Sequence, residues 1–167
     1  MIPFAEAING IAVEKKWFGA DRIDWVMTTV HRWPSIYKYR ASLLVGERTK
    51  EGLFVQLEYK GGKVNGAPER LYLGLFVQNT RSFAIDDGGF TRHRNKVGAG
   101  RPFYGQTIGH PHMHLPALEA SYGYAEPVNP APAEHLWQMF LRHANIHGAP
   151  TFNLPDEIGQ DGQLRLI

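Results

Sequence analysis

His93, His110, His112 and His114 are four of the chain's eight histidines, and they fall in a stretch, Gly88 to Leu118, that contains no Asp or Glu. The same stretch holds four fixed cations, Arg92, Arg94, Lys96 and Arg101, and the aromatics Phe90, Phe103 and Tyr104. Asp86 and Asp87 stand just before it and Glu119 just after. Cations and imidazoles without a counter-anion prepare a place for something negative, most simply a phosphate. Imidazole titrates near neutrality, so one histidine can take the proton of a ribose 2′-hydroxyl while another returns a proton to the leaving oxygen. Arginine adds a planar, permanently charged fork for the charge that builds on phosphorus. His93 with one of His110, His112 or His114 is therefore the candidate acid–base pair for cleaving RNA. Arg92, Arg94, Lys96 and Arg101 are the candidate phosphate contacts, Asn95 an orienting group, and Phe103, Tyr104 and Tyr122 the candidates for stacking a base.

A second chemistry comes from spacing. In an extended strand, residues two apart point the same way about 6.6 Å from each other, so His110, His112 and His114 share one face while Met113 and Leu115 turn inward. Neighbouring histidines can chelate one divalent transition metal, but all three cannot easily reach it, and a further ligand must come from elsewhere. Glu119 lies five residues after His114. His112-Met113-His114 with Glu119 resembles the first metal motif of the cupins, with Gly105 one place from the motif's glycine; the resemblance implies a metal held by His112, His114 and Glu119. The second cupin motif is missing, and a helical pattern follows instead.

Composition narrows the field. At 167 residues, with 43% hydrophobic and 20% charged residues, the chain has the size and make-up of one ordinary globular domain. Its apolar runs are shorter than the roughly 20 residues of a membrane helix, which leads us to expect no membrane partner. The N-terminal residues lack a signal-peptide pattern and the chain has no cysteine, so a cytoplasmic location is expected, without disulfides, thiolate nucleophiles or Cys-type zinc sites. A net charge of +2 is too small for a general nucleic-acid coat; any anion binding is local.

The elements that must position these groups are readable from period. Phe4, Ile8 and Ile11 predict a short N-terminal helix, and alternation over Arg22 to Val30 predicts a strand ended by Trp33-Pro34. Tyr39 to Val45 and Leu53 to Tyr59 alternate on either side of a polar turn over residues 46–52, which predicts an antiparallel hairpin. After a turn around Gly61 to Pro68, Leu71 to Val77 repeats the pattern, and a turn at Asn79 to Ser82 leads to a shorter strand through Phe83 and Ile85. Asn129-Pro130-Ala131-Pro132 opens a helix over Ala133 to Asn145, with Leu136, Phe140 and Ala144 on one side, covering the apolar face of the sheet and turning His135 and His143 away from it. The expected fold is a single α+β domain over residues 1–167: an antiparallel sheet of four to six strands with an N-terminal and a C-terminal helix packed on it, and an irregular tail over 147–167.

His93-Arg94-Asn95, Pro111-His112-Met113-His114, Tyr124-Ala125-Glu126-Pro127 and Asn145-Ile146 together resemble an uncharacterised bacterial and prophage domain family with that order of elements. The general plan is also similar to that of small toxin-type proteins, some of which act on RNA. The loop Val97 to Gly105 is longer here than in the first pattern. These resemblances imply domain identity and site residues more than a reaction. Three functions follow as expectations: a metal-independent endoribonuclease of toxin or prophage type, needing no cofactor and with a protein antitoxin as its potential partner; a cupin-like enzyme with one divalent transition metal; and a non-enzymatic phage inhibitor that binds a host nucleoprotein or defence complex.

Overall fold

The structure is a computed structural model and describes residues 1–28, 35–61 and 69–156. In chain order it forms α1 (Phe4–Ala12), β1 (Lys15–Phe18), β2 (Val26–Met27), β3 (Ile36–Val45), β4 (Arg48–Lys60), β5 (Arg70–Val77), β6 (Thr80–Gly88), β7 (His93–Arg94), β8 (Thr107–Ile108), β9 (His112–Ala117), β10 (Ala120–Pro127), α2 (Ala133–His143) and β11 (Ile146–His147). The class is α+β with a mostly antiparallel sheet, as the alternation predicts. The sheet is larger than four to six strands. Among the described residues it has nine, in the order β10-β9-β6-β5-β4-β3-β1-β11 with β2 beside β3, and β7 and β8 form a separate pair.

Turn chemistry explains where the strands stop. Gly46 has φ +62 and lets a two-residue turn close Val45 onto Arg48, so the strand resumes earlier than residue 53. Gln78 and Asn79 both take positive φ, the backbone of a type I′ hairpin turn, and Val77 pairs with Thr80. The expected turn at 79–82 is thus moved two residues back. Among the described residues Val26–Met27 is the part of the expected Arg22 to Val30 strand that forms; its last two residues and its end at Trp33-Pro34, much of the expected turn at 61–68, and residues 157–167 lie outside the described residues.

Alternation decides which face is covered. Leu53, Val55 and Leu57 of β4, Leu71, Leu73 and Leu75 of β5, and Phe83 and Ile85 of β6 point to one face and are buried. Both helices share that core. Phe140 of α2 stacks on Phe83 at 5.6 Å, and Trp137 meets Trp17 edge-on at 5.9 Å; His143, expected to turn away from the sheet, instead stacks on the same Phe83 ring at 5.6 Å. On α1, a Cβ at Gly10 would stand 2.6 Å from a Val77 methyl, so glycine is what permits that close helix-to-sheet approach. From Gly148 to Asp156 the chain forms no helix or strand, yet it is fastened: the side chain of Asn153 accepts from the Ile23 N–H and donates to the Ile23 carbonyl. Among the described residues no helix is long and apolar enough to cross a membrane.

The opposite face of the sheet carries, by register, Arg40, Phe54, Gln56, Glu58, Tyr72, Phe76, Asp86, His112 and His114. Neither α1 nor α2 packs there, since both belong to the core on the other side. That open, polar face is the floor of the site.

Candidate metal and anion site

The site begins with one pairing. β9 lies antiparallel to β6 with His112 opposite Asp86 and His114 opposite Ala84, which puts the two imidazoles and the carboxylate on the open face. The Nε2 atoms of His112 and His114 face each other at 3.1 Å, and ligand atoms of Asp86, His112 and His114 all lie within 4.8 Å of one another. Both histidines are buried, at 2% and 4% exposure, which is rare for imidazole without a task or a full set of partners.

Tautomers follow from the partners. The Gly109 carbonyl can only accept, so His112 Nδ1 donates to it at 2.8 Å and Nε2 is left with its lone pair facing the cluster. His114 Nδ1 and Asp86 Oδ1 are buried and form no hydrogen bond among the described residues. Arg70 Nε stands 3.5 Å from that same Asp86 oxygen; at this distance the contact is electrostatic and does not replace a hydrogen bond. Burial pushes the His114 imidazolium down to about 2, helped by Arg81 and the neighbouring histidines. Burial also lowers His112, against the pull of the Gly109 carbonyl. Both imidazoles are therefore held as neutral bases, the form that a metal requires.

Stability has a corresponding pH dependence. His114 is harder to protonate folded than unfolded, so the unfolded chain binds more protons at acid pH. The contribution is complete above about pH 6.5 and is lost as pH falls, at about 1.4 kcal/mol per pH unit for each such histidine. Urea midpoints of metal-free protein at about pH 7.5 and about pH 5 measure the slope, and His114→Leu flattens it.

The other histidines sit around this pair. His93, on β7, lies with its ring 4.7 Å from His114 and 5.9 Å from His112, and donates from Nε2 to the Gly123 carbonyl at 2.9 Å. His110 precedes β9 and joins the group from there: its ring lies 4.7 Å from that of His112 and it lines the same cleft, with Nε2 2.6 Å from the Thr91 carbonyl and Nδ1 3.3 Å from that of Asp86. The three histidines expected together do gather, His112 and His114 from β9 and His110 from the residues before it, and His93 joins them from another element. A cleft of about 440 Å³ opens above them, lined also by Lys60, Arg70, Arg81, Phe90 and Arg92.

Several residues expected at the site are used elsewhere. Glu119 sits in the two-residue turn between β9 and β10 and accepts from the Gly98 and Ala99 N–H groups; its own backbone N–H first, then those of Ala99 and Gly98, lower its carboxyl below the usual value. Asp86, not Glu119, stands beside the two histidines. Arg101 pairs with Glu126 at 3.0 Å, donates to the Pro116 carbonyl and lies 3.8 Å over the Tyr124 ring. Arg94 and Lys96 are exposed and do not line the cleft; Arg92 does. Phe103 is half-buried with its N–H donated to the Tyr124 hydroxyl, Tyr104 is exposed away from the cleft, and Tyr122 lies farther along the open face.

Asn95 is a fastener. It is 1% exposed; its amide donates to the Phe103 and Ala125 carbonyls and its oxygen accepts from the Ala125 N–H. This ties the β7–β8 flap, and with it His93, to the edge strand β10. Asn95→Ala is expected to cost about 2–3 kcal/mol, because three main-chain groups lose their partner. It also speeds hydrogen exchange at the Ala125 amide; unchanged exchange there would contradict the fastening role.

Asp86, Arg70 and Arg81 are the site residues that motif reading passes over. The available signal is phase: Asp86 alternates with the core residues Phe83 and Ile85, so it faces away from the core at a strand end just before the histidine-rich stretch. Comparison with protein-family models, with curated proteins and with solved structures finds no match to this chain.

Proposed function

We propose that this protein is a divalent-metal-dependent enzyme acting on a phosphate-bearing substrate, with Asp86, His112 and His114 as the metal ligands. The observation that carries this reading is the pair of buried Nε2 atoms 3.1 Å apart beside a buried carboxylate oxygen that forms no hydrogen bond among the described residues. A separation of about 3 Å is what two adjacent donors have when each binds one ion at about 2.0–2.1 Å. Two histidines and one carboxylate leave further coordination positions open, as catalytic sites require. An ion bound there supplies Lewis-acid polarisation of a phosphoryl oxygen.

The chain's own groups do the rest. Gly109 fixes the His112 ring through Nδ1. Arg70, Arg81 and Arg92 line the cleft and hold an anion in place. His93 commits Nε2 to the Gly123 carbonyl and so keeps Nδ1 for taking or giving a proton. Burial of His112 and His114 favours ligation over acid catalysis by these two, since a group that resists protonation has no proton to give. Metal-free cleavage of RNA by His93 and His112 is the second reading, supported by their ring separation of 5.9 Å.

Turnover of bis(p-nitrophenyl) phosphate and of labelled RNA, with and without EDTA, separates the two. The metal reading predicts activity lost in EDTA, restored by excess zinc or manganese, and absent in Asp86→Asn. Cleavage that resists EDTA would transfer the assignment to the metal-free reading.

A further inference from the structure

The cleft over the histidines continues along the open sheet face into a second space of about 680 Å³, lined by Gln56, Glu58, Tyr72, Phe76, Thr80 and Tyr122 among others. Arg70 and Arg81 line both spaces and stand at their junction. The two volumes lie within the range of roughly 300–1,000 Å³ typical of small-molecule sites.

Three features give this second space a chemistry. Arg81 is half-buried and forms no ion pair among the described residues, although Arg70, Lys38 and Arg101 all do. A partly buried guanidinium without a carboxylate is suited to an incoming anion. Arg81 also lies 5.0 Å over the Tyr122 ring, with the Tyr72 hydroxyl beside it, so the charge is held between two aromatic groups. Tyr122 is 42% exposed, and Phe76 is stacked at 4.8 Å on Phe54, whose other neighbour is the Arg40 guanidinium at 3.9 Å. Flat rings next to fixed cations suit a ligand that is itself flat and carries phosphate. The acid on this floor, Glu58, is already compensated by Lys38 at 3.0 Å and accepts from Gln56 Nε2.

The geometry points to a nucleoside phosphate as the ligand: the base lies in the space beside Tyr122 and Phe76, the phosphate lies between Arg70 and Arg81, and the reacting bond reaches toward Asp86, His112 and His114. This assignment rests on the metal-dependent reading for the reaction, but the binding it claims does not need the metal. The nucleoside phosphate is either a free nucleotide or one unit of an RNA strand.

The test is calorimetric titration of the whole chain with adenosine monophosphate, ribose phosphate and a short single-stranded oligoadenylate, with the metal content of the same sample measured by atomic emission. Adenosine monophosphate is expected to bind about tenfold or more tightly than ribose phosphate, the difference being the stacked base. Tyr122→Ala abolishes that preference, leaving adenosine monophosphate and ribose phosphate with about equal affinity, whereas Arg81→Gln weakens both ligands and keeps the preference. Tighter binding of the oligoadenylate assigns the site to RNA, and affinity equal to the mononucleotide assigns it to a free nucleotide. Equal affinity for adenosine monophosphate and ribose phosphate, or a preference that survives Tyr122→Ala, overturns the assignment. If the base preference is present but the protein neither carries nor takes up metal, the metal reading fails and the nucleoside subsite stands. If metal is bound and no base preference is found, the subsite fails and the metal reading stands.

Discussion

Asp86→Asn is expected to weaken binding of a divalent transition metal by at least about 100-fold, since changes to groups that merely support ligands cost about 10–100-fold and this one removes a ligand charge. The substitution keeps the shape of the side chain, so the strand pairing of Asp86 with His112 and Tyr72 is retained. An asparagine oxygen is a weaker donor and brings no compensating charge to a cation. Cobalt absorption during titration is the readout: wild type develops a saturating visible band at one equivalent, and Asp86→Asn does not. A matching Glu119→Gln variant is expected to bind like wild type, because the Glu119 carboxylate accepts from Gly98 and Ala99 and stands apart from the cluster. A loss in Glu119→Gln equal to that in Asp86→Asn would place the ligand set elsewhere.

The second large effect is on stability and belongs to the end of the N-terminal helix. Lys15 is 1% exposed, and its ammonium donates to the carbonyls of Gly10 at 2.7 Å, Ile11 at 2.9 Å and Val13 at 2.6 Å. These are carbonyls at the C-terminal end of α1, where the helix leaves acceptors unpaired and the dipole favours a cation. Asn145 completes the set by donating from Nδ2 to the Ala12 carbonyl. Burial pulls the Lys15 ammonium down to about 8, so it is still charged at neutral pH and all three bonds are charge-assisted. Lys15→Met keeps the stem and removes the donors, leaving buried carbonyls unmatched. The expected loss is about 3 kcal/mol, read as a lower urea midpoint with an unchanged denaturant slope. A change below about 0.5 kcal/mol would show that other groups satisfy the helix end.

How much of the fold is legible in the sequence depends on how local each determinant is. The central strands are legible because helices cover one face of β4, β5 and β6, which forces strict alternation in Leu53 to Leu57 and Leu71 to Leu75. β1 and β11 are not: four residues and two residues are too short to carry a period, and their parallel pairing joins two distant parts of the chain. The turn at Gln78-Asn79 is missed because glutamine seldom takes positive φ.

The site divides the same way. That His112 and His114 share a face is local and follows from strand period. That Asp86 completes the group is not, because β6 pairs with β9 across the whole β7–β8 excursion, residues 89 to 111, which no spacing rule anticipates. Glu119 has the right spacing for a ligand but sits in a tight turn, where nearby amides capture its carboxylate. Asn95 and Arg101 have the right chemistry for a substrate contact, yet the loop they belong to uses that chemistry for its own attachment to β10.

The most direct test of the Asp86, His112 and His114 site is metal stoichiometry of the wild-type chain by native mass spectrometry, after dialysis against zinc and removal of excess. One zinc ion per chain is the expected result, lost when His112 and His114 are both replaced by alanine. A wild-type chain that retains no ion, or a double variant that retains the same one, would contradict a metal centre at these residues.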